Sequence, residues 1–476
     1  MANKRAYRIL TLLLALCLLL PCFSLGAAAL EPAYTIGNPY ASVDWDAWGQ
    51  YKTQLHCHTN ISDGSVPLNE QIETHYSLDY DILCVTDHMT TGVPWDEAPR
   101  ALPLMRLVKN SRTKMLPIAP LTSERRQEII TGTGLTAEGR ARGPMLEVTR
   151  GNELNGAVPS NSHLQGFFTD FGQNKIGVDC DWLTPVKKVH ATGGLTVINH
   201  PGDVNKAYDD ADPLTFFDRN PQWVDKFAYL FVNYDSCVGI DINSGTDYKT
   251  KYDKILYDRI LAKTIPYGVL PWSFVYSDAH SPGEFDRAWT VHLMPEMTVP
   301  ALRKSMEDGT FFGFSRYPRL EVGDDFVGVG DPPKISRIAV DQAAGEITIT
   351  ASNYDSITWI SNGKIVAQGA TLNLAAHGEN IGSYVRAYLL GDGGILYVQP
   401  FTVLRAGQVL VKEEIKNPFD RSVPLRFLSD AMELVMKLFP PLKWFWQLIS
   451  WYDPAIDTPW LAENLFDPFW GMMFGD

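Results

Sequence analysis

The sequence predicts an α/β protein followed by an all-β segment, and three observations carry that expectation. Between Thr53 and Ser315, short apolar runs alternate with longer helix-compatible stretches, the rhythm of an α/β barrel or a doubly wound sheet. Asp331-Pro332-Pro333 then punctuates the chain, and from Ile335 to Leu404 the texture changes to short strands with turn signals. The composition, 45% hydrophobic and 20% charged over 476 residues, belongs to a folded protein of two or three domains and excludes a disordered or collagen-like one.

The chain opens on a targeting pattern. Lys4, Arg5 and Arg8 form a basic start, Ile9 to Leu20 is almost wholly apolar, Pro21 breaks the run, and Ala27-Ala28-Ala29 offers small residues for cleavage. The apolar run is short for a membrane span. The expectation is a signal peptide over residues 1–29, cut near Ala29, and an exported protein. Removing three basic and no acidic residues takes the net charge from −14 to −17. An acidic balance of that size argues against general nucleic-acid binding through a basic field. Cys57, Cys84, Cys180 and Cys237 remain. Export permits disulfides, but Cys57 and Cys84 lie in apolar, strand-like runs where a buried thiol is the simpler expectation.

In the body, expected over 30–330, the runs Asp81–Thr86, Gly194–Asn199, Val238–Ile242 and Val269–Ser277 read as strands. Leu68–Tyr76, Asp181–Ala191, Tyr252–Lys263 and Val299–Asp308 read as helices. Residues 95–150 break the rhythm and read as an insertion, either a lid or a surface excursion. In 334–406, Ile347 and Ile349 alternate with Thr348 and Thr350, while Asn362-Gly363 and Asp392-Gly393 sit where hairpins turn, predicting a β-sandwich. The remainder, 407–476, reads as a helical, Trp-rich tail. Leu428, Met432, Val435, Met436 and Phe439 form one apolar stripe there, suiting either a packing strap or an anchor at a membrane surface.

The chemistry lies in a ladder of metal-ligating residues. His56-Cys57-His58 follows a strand-like run, so two imidazoles share one face while Cys57 turns away. Asp63 follows in a loop that can fold its carboxylate back. His88 closes the next strand, Glu153 sits in Arg150-Gly151-Asn152-Glu153, and His163 precedes an apolar run. His200 ends a strand before Pro201-Gly202, and Asp278 with His280 repeats the i, i+2 spacing. Six of the ten His thus stand at or just beyond strand ends, and in α/β barrels the C-terminal strand ends carry the sites. Imidazole and carboxylate together suit Zn²⁺, Mn²⁺ or Fe²⁺. His75, His190, His292 and His377 lack partner motifs and are expected to be structural. Asp87 is expected to support a ligand rather than be one.

The ordered motifs HCHTNISDG, VTDH, GNE, SHLQGFF, INHPG, VGIDINSG and YSDAHSPGEFDRAWT resemble the PHP (polymerase and histidinol phosphatase) superfamily over about Thr53 to Arg316. ALRKSMEDGTFFGFSR and the following ISNGKIV are similar to its secreted carbaryl-hydrolase-like branch. The resemblance implies a distorted (β/α)7 barrel with two or three divalent ions. His56, His58, Glu153 and Asp278 would hold the first, Asp63, His88 and His280 the second, and Glu153, His163 and His200 the third, with Glu153 bridging. It also implies hydrolysis by hydroxide held at the metals, since no Ser or Cys nucleophile with a base is visible. A phosphate ester of a small molecule or nucleotide is the expected substrate. Arg287 is a candidate phosphate ligand, with an ion pair to Glu284 or Asp286 as its alternative. A carbamate, ester or amide hydrolase with the same metals, and a non-catalytic binding protein, are the competing readings.

Overall fold

In the computed structural model the described residues are 33–88, 90–98, 118–155, 162–172 and 182–419. The expected signal peptide, Cys180, the middle of the expected 95–150 insertion and the Trp-rich tail from residue 420 onward lie outside them. Strands β1 (Tyr34–Gly37), β2 (Gly49–Gln54), β3 (Ile82–Leu83), β4 (Leu146–Glu147), β5 (Asn152–Asn155), β6 (His163–Phe167), β7 (Leu195–Ile198), β8 (Cys237–Ser244), β9 (Trp272–Tyr276), β10 (Ala288–Met294) and β11 (Phe311–Ser315) alternate with helices. The longer helices are α1 (Leu68–Ser77), α2 (Ser123–Thr131), α3 (Leu183–Ala191), α4 (Pro221–Asn233), α5 (Asp253–Thr264) and α6 (Val299–Asp308). The protein is a mixed α/β structure, and the four helices anticipated in the body form close to their expected bounds, while the stripe at Leu428–Phe439 lies outside the described residues. No helix among the described residues is long and apolar enough to cross a membrane.

The strands do not close into a ladder of seven. β2, β3 and β4 run parallel in one sheet, and β5 to β9 form a second. In the second, β6 is antiparallel to both neighbours while β7, β8 and β9 are parallel. Two isolated parallel bridges, Cys57 with Ala279 and His88 with Glu153, stitch the sheets together. The reason is local. β3 and β4 are two residues long, so their pairing ends before it can continue into β5, and the reversed β6 interrupts the parallel run. β4 also lies inside the expected insertion. The described part of that segment packs on α1, where Arg125 forks onto Glu73 at 2.6 and 2.7 Å and the Tyr76 hydroxyl donates to Gly134 O.

The interior between the sheets is lined by Leu55, Cys84, Phe167, Val197, Phe274 and Tyr276. A separate core under the helices holds Ile198, Ile240, Ile242, Leu256 and Ile260. Cys57, Cys84 and Cys237 are buried free thiols, so no disulfide forms among the described residues.

Between Lys334 and Arg405 the chain forms strands with one 3-10 turn at Ala375–Asn380: β12 (Lys334–Asp341), β13 (Glu346–Ser352), β14 (Ser356–Ser361), β15 (Lys364–Gln368), β16 (Thr371–Asn373), β17 (Tyr384–Gly391), β18 (Gly394–Val398) and β19 (Phe401–Arg405). β12, β13 and β16 make a small sheet. β18 pairs antiparallel with β11, Phe312 opposite Val398 and Phe314 opposite Leu396, so one eleven-stranded sheet runs from the α/β body into the β-rich segment. From Gly407 to Phe419 no helix forms.

A buried ion pair reinforces this junction. Arg386 on β17 donates from Nε and Nη2 to the two carboxylate oxygens of Asp258 on α5, at 2.7 Å each, and the Tyr384 hydroxyl adds a third bond. Removing one partner of such a pair leaves a buried charge uncompensated. Arg386→Ala should therefore lower stability by about 3–5 kcal/mol in urea unfolding, whereas a loss within the ~1 kcal/mol of an exposed pair would show that the contact is not structural.

Candidate metal centre

The chain leaves β2 at Gln54 and stays extended as far as the bridge at Cys57. This places His56 and His58 on one side, fully buried, while Cys57 points into the core. Their Nε2 atoms lie 3.2 Å apart. The loop that follows is tied to Asp87, whose carboxylate accepts the N–H and hydroxyl of Thr59 (2.8 and 2.7 Å) and those of Ser62 (3.2 and 2.6 Å). Gly64 closes the turn, and a Cβ there would lie 2.4 Å from His58 O. Held this way, Asp63 Oδ1 lies 3.3 Å from His280 Nε2, 3.4 Å from His88 Nε2 and 3.7 Å from His58 Nδ1.

Glu153, on β5 beside the bridge to His88, is the hub. Its Oε2 lies 2.9 Å from His88 Nδ1 and 3.3 Å from His58 Nε2. Its Oε1 lies 3.1 Å from His200 Nε2, 3.3 Å from His163 Nδ1 and 3.4 Å from His56 Nε2, and accepts Asn199 Nδ2 at 2.8 Å. Asp278 Oδ1 is 3.1 Å from Nε2 of both His56 and His58. Two ligands occupy positive φ, His200 at 22° and Asp278 at 48°, a conformation non-glycine residues adopt only where the surroundings enforce it. His280 donates Nδ1–H to Asp278 O at 2.8 Å, which leaves Nε2 free to face Asp63. Glu284 Oε2 accepts the N–H groups of His280 and Ser281, bracing this loop.

All nine residues anticipated as ligands come together around Glu153, Asp278 and Asp63. His58, Asp63, His88 and His280 form one group and His56, Glu153, His200 and Asp278 another, each with ligand atoms within 4.8 Å of one another. His58 borders both groups, with Nδ1 3.7 Å from Asp63 Oδ1 and Nε2 3.2 Å from His56 Nε2 and 3.1 Å from Asp278 Oδ1. His163 stands between the rings of His88 and His200, 5.3 and 5.1 Å away, outside both groups. Arg287 stands apart, with Nη1 3.2 Å from Glu284 Oε1 and Nε buried without a partner.

The donor set fits divalent cations. A metal–ligand distance of about 2.0–2.2 Å separates neighbouring ligand atoms by roughly 3–4 Å, the spacing seen around Glu153 and Asp278. Three carboxylates face six imidazole rings at these distances, a buried donor set matched to compact positive charge.

Sequence reasoning placed the ligands but missed their supports. Asn199, adjacent to His200, anchors Glu153. Asp241, inside the quoted VGIDINSG, is fully buried near His200 and His56, and burial pushes its carboxyl up to about 7 against their pull. Glu284 was weighed only as a partner for Arg287. The four His set aside are elsewhere: His75 donates to Gln71 O, His292 lies 2.9 Å from Ser305 Oγ, His190 3.1 Å from Ser236 Oγ, and His377 is in a short turn after β16.

No family model and no curated protein matches the chain. Among solved structures, it is similar to a two-domain protein of Bacteroides vulgatus containing a predicted PHP-like metal-dependent phosphoesterase, at 13% identity over 76% of this chain and 88% of that one (TM-score 0.35). An amidohydrolase from Chromobacterium violaceum aligns at 14% identity over 54% of this chain and 96% of that one (TM-score 0.28). The lesion-specific endonuclease of Pyrococcus furiosus aligns at 11% identity over 57% and 60% (TM-score 0.32).

Without metal, the cluster is held by protons. Burial opposes charge on each imidazole, but neighbouring carboxylates outweigh it and raise His56 to about 8, His280 to about 9 and His200 to about 10. Burial, with His280 and His88 alongside, keeps His58 neutral by lowering it to about 3. A raised folded pKa stabilises fully below the unfolded value near 6.5 and is lost as pH rises through the folded value. The melting temperature in chelator should therefore fall between pH 6.5 and 10, and divalent metal, which needs neutral imidazoles, should flatten that fall. A pH-independent melting temperature in chelator would contradict this charge balance.

Proposed function

We propose that this chain is an exported, metal-dependent hydrolase of the PHP superfamily that cleaves a phosphate ester of a small molecule or nucleotide. The observation that carries the proposal is the convergence of all nine motif residues, from seven separate chain segments, into one buried cluster. Support for the superfamily comes from the order of these motifs, and support for export from the first 29 residues.

The two four-residue groups, with His163 beside them, would hold two or three divalent ions, which acidify water near neutral pH and draw charge from a phosphoryl oxygen. The chain's own contribution is a dry and preorganised wall. His56, His58, His88, His200, Asp63 and Glu153 are nearly or wholly buried, whereas the side chains of His280 and Asp278 are 33% and 25% exposed. Substrate therefore enters over the 278–280 segment. Asp278 faces both groups from that side and fixes where a reacting oxygen can sit, and Glu284 keeps the segment in register. Arg287 is the proposed phosphate ligand, one carboxylate away from the His280 backbone, and would exchange its Glu284 contact for a phosphoryl oxygen. A phosphoryl group offers several oxygens for adjoining cation sites, whereas a carbamate offers one carbonyl oxygen.

The metal-loaded protein should hydrolyse phosphate monoesters or diesters with a higher kcat/KM than carbamates or carboxylic esters, measured on matched aryl leaving groups. The reverse order would overturn the phosphoesterase assignment in favour of the carbamate or ester reading. Arg287→Ala should cost about 1.5–3 kcal/mol of transition-state stabilisation on the phosphate ester. Unchanged phosphatase kinetics in that variant would remove Arg287 from the site.

A further inference from the structure

Beneath the cluster lie three buried polar atoms without hydrogen-bond partners: His56 Nδ1, Asp241 Oδ2 and the Tyr276 hydroxyl. Asp241 is on β8, and its neighbours Ile240 and Ile242 pack into the core under the helices. Strand alternation turns Asp241 to the opposite face, into the interior between the sheets. There it pairs in register with Phe274 of β9, two residues before Tyr276. The Tyr276 ring stands edge-on to His56, with centroids 5.7 Å apart. One oxygen of Asp241 is already used, Oδ1 accepting Asn243 N–H at 3.1 Å.

The orphaned atoms are complementary. His56 presents Nε2 to Asp278, Glu153 and His58, so Nδ1 is the nitrogen that carries the proton whenever Nε2 is a ligand. A ligating imidazole almost always donates that second N–H, and a buried N–H left without an acceptor costs about 1–3 kcal/mol. A tyrosine hydroxyl can donate and accept, and a carboxylate oxygen only accepts. A buried water is held by two to four polar partners, a number these three atoms can supply.

The geometry points to Asp241 as a positioning residue of the metal centre: its Oδ2, through a water shared with Tyr276, accepts the Nδ1 proton of His56 and fixes the tautomer that offers Nε2 to a divalent cation. The inference rests on the metal-centre part of the proposed function and is independent of which bond is hydrolysed. No residue of this trio other than His56 is a ligand, so Asp241 acts on the cation only through His56.

The test is Zn²⁺ affinity of the full chain by chelator competition, in wild type, Asp241→Ala, Asp241→Asn and Tyr276→Phe, with the melting temperature of each metal-free protein as the measure of folding. Asp241→Ala should weaken Zn²⁺ binding by about 10–100-fold, and Asp241→Asn should recover part of the loss, since an amide oxygen still accepts. A purely structural role would lower the metal-free melting temperature and leave the affinity of the folded protein alone. Affinities within about twofold of wild type in both Asp241 variants would overturn the assignment while leaving the metal centre standing. Absence of Zn²⁺ binding by wild type would overturn both. Should the variants fail to fold, the imidazole ¹⁵N spectrum of the Zn²⁺-loaded wild type decides: an Nδ1–H tautomer at His56 supports the inference, and an Nε2–H tautomer overturns it.

Discussion

Burying Glu153 is the constraint on which the rest of this structure depends. An ionised carboxylate taken out of water costs several kcal/mol unless opposite charge and hydrogen bonds meet it. Here five imidazoles approach within 3.4 Å, supplied by four different segments, and Asn199 adds a hydrogen bond. Asp278 and Asp63 repeat the pattern at the periphery. Three buried or half-buried anions among six imidazoles can be neutralised by protons or by divalent cations, and the short distances favour a compact charge. The fold and the chemistry therefore share one requirement, positive charge at a single point between two sheets.

The backbone is arranged to meet it. Both isolated bridges between the sheets fall at ligand positions: Cys57 lies between two ligating His, Ala279 between Asp278 and His280, and the other bridge pairs His88 with Glu153 directly. The backbone bridges between the sheets thus fall where the site is. Positive φ at His200 and Asp278 costs of order 1–3 kcal/mol each. Asn199 beside His200 and the Ser281–Glu284 capping box beyond Asp278 are the local contacts that over-determine those segments, while four hydrogen bonds into Asp87 hold the Thr59–Gly64 loop. Such supports hold the ligands still, which a preorganised site requires.

Most of the candidate ligands were legible in the sequence because His56, His58, His88, His200, Asp278 and His280 follow strand-like runs, whereas Asp63 lies in a loop, Glu153 within β5 and His163 at the start of β6. How the Thr59–Gly64 loop presents Asp63 was not legible, because that is set by hydrogen bonds to Asp87, twenty-five or more residues away. Asp241 was passed over because a single Asp in a buried run has no local signature separating a supporting acid from a strand-end residue. The α/β rhythm was read from apolar runs, but β4 is too short to leave one. The pairing of β11 with β18 joins residues far apart in the chain, and no local alternation encodes it.

The central claim is that these nine side chains form one centre built for divalent cations, with Glu153 at its middle. Elemental analysis of the purified chain after reconstitution and gel filtration, for wild type and Glu153→Gln, tests it most directly. The account predicts about two or three tightly held ions per wild-type chain and a loss of at least about one in Glu153→Gln. Less than one ion in the wild type, or an unchanged count in the variant, would contradict it.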